Sequence, residues 1–103
     1  MSAATIIIAK TIQGQIGMNS LMCIGAHKFI AIPETDKHLG GLQFKLGKNP
    51  KMKQGGTVTI TLLPSDTYAV KIITSRGKVM LDVEGIYCED LGGQSGVIEG
   101  VTG

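Results

Sequence analysis

The stretch that decides the fold is Thr57-Val58-Thr59-Ile60-Thr61-Leu62, in which apolar residues alternate strictly with threonine. Successive side chains of a β-strand point to opposite faces of the sheet, so this alternation puts Val58, Ile60 and Leu62 on one face. β-Branched residues also favour strands. The stretch therefore predicts a half-buried strand with one apolar face and one face of hydroxyl groups.

Two more strands are predicted on the C-terminal side of this stretch. Pro64-Ser65-Asp66 indicates a turn, because proline fixes φ and Ser or Asp side chains bond back to the backbone. Residues 68–74 form the returning strand, and a second turn at Arg76-Gly77 leads to a third strand over 78–84. Its apolar residues on one face are Val79, Leu81 and Val83. Residues 57–84 are thus predicted to form a three-stranded antiparallel meander.

Shorter strands are predicted on the N-terminal side. Residues 42–46 alternate between apolar residues and the polar Gln43 and Lys45, which indicates another strand with one buried face. The apolar runs 21–25 and 28–33 indicate a tight β-hairpin or a bent strand. The polar residues that follow them, up to Gly40-Gly41, indicate a loop.

Residues 5–16 carry an apolar stripe of helical period, at Ile8, Ile12 and Ile16. Thr5 is a candidate N-cap and Gly17 a candidate helix stop. Isoleucine also favours strands, and Gly14 weakens a helix. A strand therefore stays an alternative, and the periodicity favours the helix.

The C-terminal residues complete a single predicted domain. Residues 86–91 indicate one or two helical turns, the linker-like stretch Gly92 to Gly96 interrupts them, and 97–101 are short and apolar. With 103 residues, the chain has the length of one domain. We therefore predict an α+β domain over residues 1–103. It consists of an antiparallel sheet of four to six strands with one or two short helices on one face.

The composition indicates which residues form the core and in which cellular compartment the protein is found. Hydrophobic residues make up 43% of the chain and aromatic residues only 4%, so the core must consist mainly of Ile, Val, Leu and Met. Cys23 and Cys88 lie far apart among apolar residues, which is typical of free, buried thiols in a reducing cytosol. The N-terminus lacks a signal-peptide pattern, and no segment has the length of a membrane span. A cytoplasmic protein without membrane contact is predicted.

The charge is distributed unevenly along the sequence. Residues 1–64 contain seven lysines and two acidic residues, whereas residues 65–103 contain three basic and six acidic residues. This asymmetry favours contacts between copies of the chain or with an anionic partner. The high apolar content of so short a chain, together with the edges of a sheet, also predicts a homo-oligomer, most simply a symmetric dimer.

No constellation typical of catalysis or of cofactor binding is found in the sequence. His27 and His38 have no cysteine or carboxylate at metal-ligand spacing and are predicted at the surface. Ser95 lacks the Gly-x-Ser-x-Gly context of a hydrolase nucleophile. Asp82 and Glu84 share the solvent face of a strand. Three interpretations stay open for them: a solvated surface, a weak cation site, or a patch that meets another copy of the chain. The protein is therefore expected to be no enzyme and to need no cofactor or metal.

Two sets of residues are candidates for binding. Four lysines within nine residues, with no acidic residue from 37 to 65, can contact phosphates weakly, although no aromatic residue or arginine accompanies them. They are Lys45, Lys48, Lys51 and Lys53. Tyrosine and arginine are enriched at interaction hot spots, which makes Tyr68, Arg76 and Tyr87 candidates for an interaction surface. The competing interpretation is that the lysines belong to a loop that only improves solubility and that the tyrosines lie half in the core.

A pattern spread over nearly the whole chain resembles a group of small proteins encoded by tailed phages and related mobile elements. Its residues are Gly25-Ala26, Phe29, Leu42, Phe44-Lys45-Leu46, Val58, Ile60, Leu62, Asp66-Thr67-Tyr68, Val70, Arg76-Gly77, Glu84-Gly85-Ile86-Tyr87, Asp90 and Thr102-Gly103. The resemblance implies a phage-type protein of the host cytosol and transfers no site residue. Members run into a helix after the Ile-Tyr pair, and Gly92 to Gly96 departs from that pattern.

Two functions follow as hypotheses from these observations. The first is a small non-catalytic binding or assembly protein that acts through homo-oligomerisation or on a protein partner. The alternative is a weak nucleic-acid or nucleotide binder that uses the lysine-rich segment.

Overall fold

A computed structural model describes residues 3–17, 25–47 and 55–87. One helix, α1, precedes five strands. The elements are α1 Ala3–Ile16, β1 His27–Ile32, β2 Gly41–Leu46, β3 Gly56–Leu62, β4 Tyr68–Thr74 and β5 Val79–Ile86. The strands form a single sheet in the order β1-β2-β3-β4-β5, and each neighbouring pair is antiparallel. The α+β fold with a sheet of four to six strands is therefore confirmed.

The predicted half-buried strand forms β3, at the centre of the sheet. Val58 and Ile60 are fully buried, whereas the threonines that alternate with them are half-buried on the other face. Phe44 of β2 lies opposite Val58, and Val70 of β4 lies opposite Ile60, so alternating residues of three strands form one apolar layer. The opposite face, which we call the open face, carries threonines and charged side chains.

Helix α1 covers the apolar layer and packs against β1 and β2. Ile12 and Ile16 are buried in the core and Ile8 is half-buried, so the helical stripe of the sequence is confirmed. Gly17 ends the helix with φ 91°, and its N–H donates to the carbonyl of Gln13 at 3.1 Å. The predicted cap at Thr5 is wrong, since the helix begins at Ala3 and Thr5 lies inside it.

Strand β5 is less regular than its alternation predicts. Leu81 and Val83 lie opposite the buried Ile72 and Val70, but the register shifts before Val79 pairs with Ile73. This irregularity places Val79 on the open face, where it is 50% exposed. The expectation that Val79 shares a face with Leu81 and Val83 is therefore wrong, because a bulge reverses the alternation.

A second bulge lets β5 continue past its predicted end. Gly85 has φ 75°, which a glycine adopts without strain, and Ile86 pairs with Tyr68 after the register shift. The helical turn predicted to begin at residue 86 is wrong for Ile86, which belongs to the strand. The remainder of that predicted turn, from Cys88 onward, lies outside the described residues.

Strand β1 pairs with β2 at one edge of the described sheet. A bulge lies between His27 and Ile30, where Lys28 has φ 55°, and the ring of Phe29 packs 5.4 Å from the ring of Phe44. The second apolar run thus forms a bent strand. The first run, over 21–25, lies outside the described residues except for Gly25.

Several sequence-based expectations concern parts of the chain that the structure does not describe. They involve Cys23, Lys48, Lys51, Lys53, Cys88, the stretch Gly92 to Gly96, and residues 97–101.

Candidate binding surface

Positively charged side chains from several strands lie at one end of the sheet. At this end β1, β3 and β5 begin and β2 and β4 end, because all neighbouring strands are antiparallel. The described cationic or imidazole residues there are His27, Lys28, Lys45, Arg76 and Lys78, and all five are exposed. No carboxylate among the described residues lies at this end, which we call the basic end.

Carboxylates collect at the opposite end of the sheet, which we call the acidic end. The residues are Glu34, Asp36, Asp66 and Glu84, and all four are exposed. Glu34 and Asp36 follow β1, Asp66 lies in the turn between β3 and β4, and Glu84 lies near the end of β5. Lys37 and His38 are the described basic side chains there. The described charges are therefore separated along the strand direction.

A cleft of about 310 Å³ opens at the basic end. Its polar lining comes from His27, Lys45, Thr57, Thr74 and Ser75. Gly56 and Gly77 complete the backbone wall, and Leu46 is the one large apolar residue among the described residues of the lining. The volume lies at the lower end of the range of about 300–1,000 Å³ that is typical of ligand pockets.

The pairing of three strands places the cleft's side chains in one row. His27 lies opposite Lys45 across β1 and β2, and Lys45 lies opposite Thr57 across β2 and β3. Residues paired in this way share a face of the sheet, with about 4.8 Å between neighbouring strands. An imidazole, an ammonium group and a hydroxyl group therefore stand side by side on the open face.

Backbone hydrogen bonds hold the loops around this row. The N–H of Gly47 donates to the carbonyl of Gly25 at 3.1 Å, and the N–H of Ser75 donates to the carbonyl of Gly55 at 3.3 Å. In the turn between β4 and β5, the hydroxyl of Thr74 accepts from the N–H of Lys78 at 3.0 Å. Three separate chain segments are thereby fastened together at the cleft.

The ring of His27 is oriented by its own loop. Its Nδ1 lies 2.8 Å from the carbonyl oxygen of Gly25, and a carbonyl only accepts, so Nδ1 carries the proton. This leaves Nε2 as the ring nitrogen available to a ligand. Among the described residues, neither Nε2, nor the ammonium group of Lys45, nor the hydroxyl of Thr57 has a hydrogen-bond partner.

The predicted binding residues are divided by the structure. Lys45 lines the cleft and Arg76 lies in the adjacent turn, both at the basic end. Lys48, Lys51 and Lys53 lie outside the described residues. The sequence did not single out His27 or Lys78 for binding, because their position beside Lys45 depends on the strand register.

The two tyrosines lie far from the basic end and in different surroundings. Tyr68 is 5% exposed and belongs to the core, where it pairs with Ile86. Tyr87 follows β5 at the acidic end and is 61% exposed. Arg76 precedes the eight-residue β5 and Tyr87 follows it, so about 30 Å of chain separates them. The three residues therefore do not form one surface.

Apolar side chains are exposed at the β1 edge. Phe29 and Ile30 are both among the exposed large hydrophobic residues, and Ile30 is 53% exposed on the open face beside Gln43. Four consecutive residues of β1, from Phe29 to Ile32, carry no charge. On the other edge, β5 carries the exposed Asp82 between its two bulges and the exposed Glu84 within the second bulge.

The histidines and Asp82 are also candidate metal ligands by residue type. His27 is exposed as predicted, whereas His38 is half-buried, and its Nδ1 is shielded without a partner among the described residues. Asp82 is exposed and lies opposite Lys71. The described residues include no group of three His, Cys, Asp or Glu side chains that could hold a metal ion. The described helix is too short to cross a membrane.

Comparison with protein-family models, with curated proteins and with solved structures gave no match for this chain.

Proposed function

We propose that this protein is a small non-catalytic assembly protein that forms a symmetric dimer through its β1 edge. The observation that carries the proposal is the surface of β1, where exposed Phe29 and Ile30 lie on an edge strand between a basic and an acidic end. An edge strand presents unpaired backbone N–H and C=O groups that can pair with a second copy. The occupant of this edge is a second copy of the same chain.

Charge complementarity favours a second copy over another partner. Two β1 strands related by a two-fold axis run antiparallel, because the axis reverses the strand direction. Lys28 at the start of one β1 then approaches Glu34 and Asp36 after the end of the other. One symmetric contact therefore combines backbone pairing, apolar burial and two identical sets of opposite charges.

The β1 edge suits this contact better than the β5 edge. Bulges and charged residues on an edge strand are devices that prevent pairing with other chains. β5 has two register irregularities and the exposed carboxylates Asp82 and Glu84. β1 has one bulge, confined to its start at Lys28, and an uncharged stretch after it.

A binding role rather than catalysis agrees with the chemistry of the described residues. Catalytic groups normally converge in a cleft as an acid, a base or a nucleophile with an orienting partner. None of the described residues that line the cleft at the basic end is a carboxylate, and its histidine is oriented by a backbone carbonyl. We include in the proposal a phage-type origin and action in the host cytosol, which rest on the sequence resemblance.

The two-fold contact is tested by changing Ile30 to Lys. Ile30 lies near the middle of β1, so the two new lysines approach each other across the dimer axis, where like charges directly opposite are destabilising. Full burial of an exposed isoleucine is worth about 1.5–3 kcal/mol, and Ile30 is 53% exposed, so the loss of two such contacts should weaken the dimer at least about tenfold. Light scattering over a dilution series measures the molar mass.

Val79→Lys is the matched control, because Val79 is 50% exposed and lies on the opposite edge strand. This variant should keep the wild-type dissociation constant. A mixture of Ile30→Lys and Ile30→Glu proteins should restore a dimer, since opposite charges then meet at the axis. A wild-type monomer at every concentration would refute assembly, and dissociation caused by Val79→Lys alone would refute the β1 interface.

A further inference from the structure

The cleft at the basic end has the chemistry of a binding site for a small phosphate ester. We propose that His27, Lys45 and Thr57 bind a phosphoryl group there, with Ser75 at the opposite wall. This site lies beyond the proposed assembly function and does not depend on it. The assembly concerns the backbone edge of β1, whereas the cleft lies across β1, β2, β3 and the turn after β4.

The cross-strand pairing gives a physical reason to expect an anion. When the imidazole of His27 is protonated, it stands directly beside the ammonium group of Lys45, and like charges in this arrangement are destabilising. No described carboxylate lies near enough to the cleft to line it. A phosphoryl group between the two side chains would replace this repulsion by two charge-assisted hydrogen bonds.

The donors also match the number of oxygens that a phosphoryl group offers. When the imidazole is protonated, Nε2 of His27 donates together with Nζ of Lys45 and the hydroxyl of Thr57, and the three donors come from three adjacent strands. The carbonyl of Gly25 orients the imidazole, and the bonds from Gly47 to Gly25 and from Ser75 to Gly55 fix the surrounding loops. A preorganised set of donors binds with a smaller loss of conformational freedom.

The size and the lining of the cleft define the class of ligand. A volume of about 310 Å³ admits a phosphate with a small organic group. None of the described lining residues is aromatic, so they offer no surface on which a base would stack. The site therefore recognises the phosphoryl group and its nearest hydroxyls, as in a sugar phosphate, rather than a nucleobase.

Titration of the ¹⁵N-labelled full-length chain, followed by amide chemical shifts, tests this site. The probes are inorganic phosphate, ribose 5-phosphate and adenosine monophosphate. We expect saturable shifts at His27, Lys45, Thr57 and Ser75, with ribose 5-phosphate and the nucleotide binding equally well. Tighter binding of the nucleotide would contradict recognition without the base, and absence of saturable shifts with all three probes would overturn the site.

Lys45→Ala should raise the dissociation constant at least about tenfold, because it removes one charge-assisted hydrogen bond. Lys71→Ala is the matched control, since Lys71 is an exposed lysine at mid-strand of β4, opposite Asp82. An equal loss in both variants would show that general charge attracts the anion and would overturn the site. Binding of DNA or RNA without binding of the small phosphates would also overturn it, in favour of a polymer. Lys45→Ala leaves Ile30 unchanged, so we expect this variant to keep the molar mass of the dimer. The phosphate site and the dimer contact are therefore tested separately.

Discussion

At Ile60 and Thr59, one step along a strand separates two environments. Ile60 is 0% exposed and contacts the core, whereas Thr59 is half-buried on the open face between Gln43 and Lys71. The side chains of neighbouring residues in a strand point in opposite directions, so a substitution tests one face at a time. The same carboxylate introduced at each position experiences very different surroundings.

Ile60→Asp should unfold the domain or leave it barely stable. Burial of an unpaired carboxylate costs several kcal/mol, against a total stability of about 5–15 kcal/mol for a typical domain. Thr59→Asp should cost less than about 1 kcal/mol, because the new carboxylate stays hydrated and lies opposite Lys71. Urea denaturation measures both values. Equal destabilisation would contradict a sheet with one buried and one open face.

Single residues show where local sequence was sufficient and where it was not. The alternation at Val58, Ile60 and Leu62 predicted the buried face of β3, because the period of a regular strand is fixed by its geometry. At Val79 the same rule failed, since a bulge adds one residue and reverses the alternation. The register that creates the bulge depends on the partner strand β4, which the local pattern does not contain.

Helix α1 contains two glycines with different roles. Gly14 lies within the helix, and a Cβ added there meets nothing within 4 Å. Gly17 also has open space around it, but its φ of 91° is a conformation that other residues rarely adopt. An added Cβ has room at both positions, so Gly14 and Gly17 differ only in their backbone conformation.

Replacing each glycine by alanine should therefore change stability in opposite directions. Gly14→Ala should stabilise the fold by about 0.5–1 kcal/mol, because alanine loses less conformational freedom in a helix. Gly17→Ala should destabilise it by about 1 kcal/mol, because a Cβ is strained in the left-handed conformation. Thermal and urea unfolding of the two variants provide the comparison. Stabilisation by Gly17→Ala would show that the helix does not end in this way.

At the level of elements, the sequence predicted the presence of the central strands better than it predicted where α1 and β5 begin and end. The strands over 42–46 and 57–62 were predicted because their residues alternate strictly, and the strand over 68–74 was predicted as the return from the turn at Pro64-Ser65-Asp66. The limits of α1 and β5 were not, since Thr5 is one of several residues able to begin a helix and Gly85 can end a strand or form a bulge. The choice depends on packing and on pairing with β4.

At the scale of the whole molecule, the described charges are separated along the strand direction as well as along the sequence. Arg76 and Lys78 belong to the acidic C-terminal half of the sequence, yet they lie at the basic end with Lys45. Antiparallel hairpins return the chain to the same end of the sheet after every second strand, so distant segments meet there. The composition of the two halves indicated asymmetry, but only the topology places His27 beside Lys45 and creates the candidate site.

Contact with nucleic acid would depend on the positive charge at the basic end and on the lysines of the adjoining segment. Lys48, Lys51 and Lys53 belong to the segment between Gly47 and Gly55, and both glycines lie at the basic end. If these lysines contact phosphates, their joint replacement by alanine should reduce the salt dependence of duplex DNA binding by a slope of about 2.7. The control is the joint replacement of Lys10, Lys37 and Lys71, which removes the same charge elsewhere. An equal effect of both triple variants would show that binding follows net charge alone, and no retention of DNA at low salt would end the hypothesis.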